Sequence, residues 1–272
     1  MVRSLWSGAT GMIAQQTNVD TIANNLANVN TVGYKSEVNE FKSLLYQTLQ
    51  TRTTSANGDP KPITSQVGLG VRNAAISSVF TQGNLLASEK TSSFAIEGDG
   101  FFAVRGADGG TYYTRNGDFT WAMNSGGGIE LTTSDGYPVL DSQGKAITFS
   151  NQYNSSKISI DADGYICYPD QKNTPQRLGP RIGLTQFNNP NGLLKTGNSL
   201  YQATAASGPA INEATSNNVK KSVLHQGYLE GSNVQVADEM VNLIVAQRAY
   251  EMNSKTITTS DTMMQEANEL KR

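Results

Sequence analysis

Asp161-Ala162-Asp163-Gly164 begins like a calcium-binding loop, with two carboxylates in alternation and a glycine to turn the chain. The ligand pattern stops there, since no further oxygen donors follow in register and no glutamate closes the loop at its last position. A hairpin turn is the simpler reading. Glu97-Gly98-Asp99-Gly100-Phe101-Phe102 contains a G-x-G, but it lacks the third glycine of a dinucleotide-binding loop and leads into an apolar run suited to a strand. Such a loop must open a helix. His225 is the only histidine and Cys167 the only cysteine, which rules out a His/Cys metal cage and an intramolecular disulfide. No Ser-His-Asp set can be argued around His225 in its Gln-Gly-Tyr context, and no G-x-S-x-G elbow is present. Cys167 has no resolving partner and reads as a core thiol in a strand. No Asp or Glu stands where its surroundings would raise its pKa for acid–base work. The expectation is a protein without catalytic residues, metal or cofactor.

Composition points the same way. The 272 residues suffice for a sizeable core, and 37% apolar against 16% charged residues is neither membrane-like nor typical of a charged disordered chain. A net charge of −2 offers no field for nucleic acid or anionic lipid. No run approaches the ~18 apolar residues of a membrane span, and no cleavable signal peptide is legible before Gln15. The abundance of Ser, Thr, Asn, Gln and Gly suits turns, strand edges and broad interfaces.

The two ends read as helices. Leu5, Ala9, Met12, Gln16, Val19, Ala23 and Leu26 alternate in steps of three and four, the seam of a coiled coil, with Gln16 its one polar member. Leu243, Ala246, Tyr250, Asn253, Ile257, Ser260 and Met264 repeat the pattern near the C-terminus. That second helix is expected to start at Ser232 or Asn233, with Asp238 and Glu239 near the positive end of its dipole and Lys271 and Arg272 at the other end. Because one helix opens the chain and the other closes it, antiparallel pairing is expected. Between them, Phe94–Ile96, Phe101–Val104, Thr111–Thr114, Asp118–Trp121, Ile129–Thr133, Lys157–Asp161, Tyr165–Tyr168 and Arg181–Phe187 are strand candidates separated by Gly, Asn, Asp and Pro. The fold class is therefore α+β: long N- and C-terminal helices forming a coiled-coil-like pair, with a central all-β antiparallel domain. The divisions are paired helices over 1–35 and 230–272, an extended connecting region over 36–90 and 205–229, and a β-rich domain over 91–204. Stretches 50–68 and 205–218, rich in Thr, Ser, Asn, Gly and Pro, read as tethers.

Asn24, Asn25, Leu26, Ala27, Asn28, Thr31, Gly33, Tyr34 and Lys35 form the pattern Asn-Asn-apolar-Ala-Asn, then Thr, then Gly-aromatic-Lys. This resembles the signature of the flagellar basal-body rod and hook family. A helix ending in paired amides before Gly33 also reads physically as a C-cap and turn. Gln226-Gly227-Tyr228-Leu229-Glu230-Gly231 with the helix that follows, and Ile96 through Phe102, are similar to the C-terminal and internal motifs of the same family. Within it, Arg3-Ser4-Leu5-Trp6, Gln15 to Asn18 and Phe41 to Thr48 are most similar to the distal-rod branch, with proximal rod and hook-type subunits as the alternatives. The resemblance implies a structural homopolymer at the flagellar basal body, outside the cytoplasm. The same resemblance implies export through the flagellar apparatus without signal cleavage, and assembly with other rod and hook proteins and the rings around the rod, with no nucleic acid and no membrane insertion. Phe41 and Leu45 are similar to the export gate signal of such substrates, although core packing explains the same pair. The reading from a different class is a secreted β-rich adhesin, which leaves the seamed helices unexplained.

Overall fold

The computed structural model describes residues 2–50, 65–124, 126–150, 153–154, 157–161, 163–170, 174–216 and 219–270. Lys271, Arg272 and the centre of the 50–68 tether lie outside them. The chain divides into two compact units. One holds residues 1–27, 37–78 and 235–272, and the other holds residues 28–36 and 79–234.

The first unit is built on two helices, α1 (Val2–Ala27, 26 residues) and α2 (Val236–Glu269, 34 residues). α2 starts later than the sequence suggests. Asn233 is not its cap: its side chain accepts from Ser36 N (2.7 Å) and donates to Val79 O (2.8 Å) and Thr81 Oγ1 (2.9 Å). The Ser232 hydroxyl accepts from Val234 N (3.3 Å). Both groups are committed elsewhere, and Gln235 takes the cap position without a side-chain bond. Asp238 and Glu239 do fall in the first turn. The flanks of the tether are ordered strands: Tyr46–Gln50 pairs antiparallel with Ser65–Gly68, and Glu37–Ser43 with Val71–Ser78.

The second unit is a large antiparallel β region. Its main sheet has six strands in the order Leu194–Gly197, Leu200–Gln202, Thr111–Thr114, Phe101–Arg105, Leu184–Gln186, Ile211–Asn212. Side chains alternate faces along a strand, so Phe102 and Val104 enter one core with Phe94, Phe119, Leu131 and Ile166. Phe101 and Ala103 enter another with Tyr113, Leu140, Phe187 and Tyr201. Burial on both sides explains why Phe-Phe-Ala-Val is a continuous apolar run rather than an alternating one. The Arg181–Phe187 candidate is two strands, Pro175–Arg181 and Leu184–Gln186, broken at Gly183, where a Cβ would lie 2.6 Å from Asp141 O. Residues 205–218, read as a tether, contribute the edge strand Ile211–Asn212 and the fully buried Glu213.

Candidate assembly site

The helices approach through small residues. Ser4 Oγ lies 3.0 Å from Ser260 Oγ. A Cβ at Gly8 would stand 2.9 Å from Ile257 Cγ1, and one at Gly11 2.8 Å from Asn253 Nδ2. Asn25 Nδ2 donates to Glu239 Oε1 at 3.1 Å. Contact positions ascending in α1 and descending in α2 define an antiparallel pair. On α2 these contacts share the stripe of Leu243, Ala246, Ile257 and Met264, of which Ala246 is buried and the other three half-buried, while Tyr250 stays exposed. On α1 the contacts run one position ahead of the apolar stripe. Leu5, Ala9, Met12, Val19 and Leu26 are half-buried beside the seam, and Gln16 and Ala23 are exposed. Gln16 and Val19 line a shallow cleft with Gln247, Tyr250 and Glu251. Glycine and serine permit backbones to come close where leucine and methionine would hold them apart.

Several large apolar side chains of the pair are left uncovered. α2 buries only Ala246 and Ser260 among its described residues. Val241, Ile244, Val245 and Met252 on α2 are each 57–64% exposed, and Trp6 and Ile13 on α1 are 67% and 65% exposed.

Asn25 also anchors the neighbouring strand. Its Nδ2 donates to Glu37 O (2.9 Å) and its Oδ1 accepts from Glu37 N (2.8 Å), so the buried amide imitates a paired strand residue. Burial raises the Glu239 carboxyl pKa above the usual carboxylate value, opposed by the Asn25 hydrogen bond and reinforced by Asp238. Phe41, inside strand Glu37–Ser43, and Leu45, just beyond its end, are both exposed, Leu45 at 83%.

The signature continues in the β unit. Asn24 and Ala27 are exposed and Leu26 half-buried at the end of α1. Thr31 Oγ1 then donates to Asn28 Oδ1 (3.0 Å), and Tyr34 N to Thr31 O (3.3 Å), closing a turn. α1 ends at Ala27, so Gly33 is not its C-cap. Gly33 has φ +69°, and a Cβ there would lie 2.7 Å from both Arg115 C and Asn116 N. The left-handed conformation lets the turn lie flat against the Arg115 backbone. Lys35 is fully buried: Nζ donates to Glu230 Oε1 at 2.6 Å and to Thr81 O at 2.8 Å. Arg115 Nη1 reaches Glu230 Oε2 at 3.4 Å. Burial pulls the Lys35 pKa below that of an ordinary lysine, against the attraction of Glu230. Sequence reading missed this cluster because its members come from three distant segments and no spacing connects them.

The residues that resembled enzyme motifs have structural partners. Arg177 pairs with Asp161 (2.6 Å) and Asp163 (3.4 Å). His225 Nε2 lies 2.7 Å from an exposed Glu97 Oε2. Burial pushes the Cys167 thiol pKa up. Among the described residues, no three His, Cys, Asp or Glu gather as a metal site, and no helix is long and apolar enough to cross a membrane.

An antiparallel helix pair with exposed apolar side chains and an antiparallel β region define a protein of the α+β class. Residues 5–35 match the family described as flagella basal body rod protein. Residues 95–168 match the flagellar hook protein FlgE/F/G D1 domain, and residues 225–270 the flagellar basal body rod FlgEFG protein C-terminal family. The chain is 45% identical to the flagellar basal-body rod protein FlgG of Borreliella burgdorferi, and 39% identical to that of Bacillus subtilis, over the whole of each chain. It is 32% identical to the flagellar hook-basal body complex protein FlhP of Bacillus subtilis, over 97% of each chain. The chain belongs to the flagellar basal-body rod protein family.

Proposed function

We propose that this chain is the structural subunit of the distal rod, polymerising through its terminal helices into a hollow shaft that carries torque from motor to hook. The observation that carries this reading is the apolar surface of the helix pair: Trp6, Ile13, Val241, Ile244, Val245 and Met252 stand in water where a neighbouring copy would cover them. Two helices in antiparallel register, meeting through a repeat of threes and fours, would stack with neighbouring pairs as a coiled-coil-like layer. The remaining partners are other rod and hook subunits and the rings that surround the rod. The role is mechanical rather than catalytic. Export through the flagellar apparatus in an unfolded form suits helices that bury little of their own surface, and Phe41 and Leu45 are accessible to act as the gate signal. Electron microscopy of the concentrated purified protein is expected to show straight tubes. A preparation that remains monomeric at every concentration tried, alone and seeded with basal bodies, would contradict polymerisation.

A further inference from the structure

Lys35, Arg115 and Glu230 bring two cations and one anion into the interior of the β unit, with side chains 0%, 2% and 0% exposed. Glu230 holds the signature turn twice. Its carboxylate takes Lys35, and its backbone carbonyl accepts from Gly33 N at 2.8 Å. The same carboxylate accepts from Gly83 N at 3.1 Å. Arg115 is less well satisfied, because its Nε is buried without a hydrogen-bond partner among the described residues. Its guanidinium lies over the Phe101 ring, 4.9 Å from the centroid. Asp99 attracts both cations, but more weakly than Glu230 does.

We propose that Glu230 is an electrostatic latch for the signature turn: residues 28–36 dock onto the β core only when the segment carrying Glu230 is already in place. Without that carboxylate, docking would bury two like charges side by side in a medium of low polarity, a heavily unfavourable step. The charge imbalance sets the order. Arg115 is delivered by the core itself, next to strand Thr111–Thr114, and Lys35 comes with the N-terminal turn. The neutralising group comes from the segment leading into α2. The N-terminal end of the unit is thereby tied to the arrival of its C-terminal end. A subunit whose chain has not been delivered past residue 230 keeps its signature turn open. The core strands do not depend on the latch, since their packing runs through Phe94, Phe102, Val104 and Phe119.

The test is amide hydrogen exchange on the full chain, following Gly33 as the reporter of docking and Val104 as the reporter of the core. Glu230→Gln keeps the shape and removes the charge. It is expected to speed exchange at Gly33 by about a hundredfold or more, the factor for breaking a buried pair from one side. Val104 can lose no more than the docking free energy and should stay strongly protected after Gly33 has lost its protection. Lys35→Met leaves Arg115 and Glu230 balanced one to one and should speed Gly33 by less than about tenfold. Equal effects of the two substitutions would overturn the latch, because shape rather than charge would then hold the turn. So would unchanged exchange at Gly33 in Glu230→Gln. Val104 falling to the same low protection as Gly33, including outright unfolding of Glu230→Gln, would make Glu230 an ordinary member of the core and also overturn it.

Discussion

Ile244→Gln combined with Val245→Gln is expected to raise the concentration needed for polymerisation by at least about a hundredfold while leaving the subunit folded. The two side chains are 57% and 62% exposed in the single subunit, so assembly is where their burial would occur. Covering that exposed fraction is worth roughly 1–1.5 kcal/mol for each, and a buried glutamine amide without a partner adds a further penalty of similar size. Together they exceed about 2.8 kcal/mol, which is two decades in an equilibrium constant. Glutamine is also a better helix former than isoleucine or valine, so the isolated helix gains local stability. Loss of assembly therefore could not be ascribed to a broken helix. Sedimentation against concentration measures the effect, and the thermal transition of the β unit serves as the control. Normal tubes from the double variant would show that this face is not an interface.

Gly33→Ala is expected to lower the stability of the β unit by about 3 kcal/mol or more. Two effects add. A non-glycine residue at φ +69° costs on the order of 1–2 kcal/mol. The new Cβ would also meet Arg115 C and Asn116 N at 2.7 Å, backbone atoms that no side-chain rotation can move away. Gly109 separates the two effects, since its φ is +78° but nothing among the described residues lies within 4 Å of a Cβ there. Gly109→Ala should cost only the conformational part, about 1–2 kcal/mol. Denaturant unfolding of both variants gives the comparison. Equal losses would mean that the signature turn does not press on the Arg115 backbone as the structure has it.

What was legible in the sequence follows from what each kind of residue can signal. Thr111–Thr114 and Ile129–Thr133 are strands with the bounds read from β-prone residues between turn chemistry, and Phe101–Arg105 differs by one residue. The terminal helices were legible from their periodicity. The contact line of α1 was not, because Ser4, Gly8, Gly11 and Asn25 carry no hydrophobic signal and act by being small or by hydrogen bonding. A stripe chosen for apolarity lands one position later, on Leu5, Ala9, Met12 and Leu26. Asn233 resembled a helix cap because isolated sequence cannot reveal that its amide is bonded to Ser36, Val79 and Thr81. Ile211–Asn212 is too short to show alternation and is a strand only because Leu184–Gln186 offers an edge. The Lys35–Glu230 pair spans 195 positions, beyond any local pattern. Family resemblance marked Lys35 as a signature residue, but its chemistry became visible only in three dimensions.

The uncovered helix faces are tested most directly by the exchange rates of α2 amides from Val241 to Met252, measured in a demonstrably monomeric sample and again in assembled tubes. With few buried side chains of its own, α2 should exchange within a few orders of magnitude of an unfolded segment in the monomer and become strongly protected in the tube. Protection in the monomer equal to that of the β core, unchanged on assembly, would contradict a helix pair completed by its neighbours.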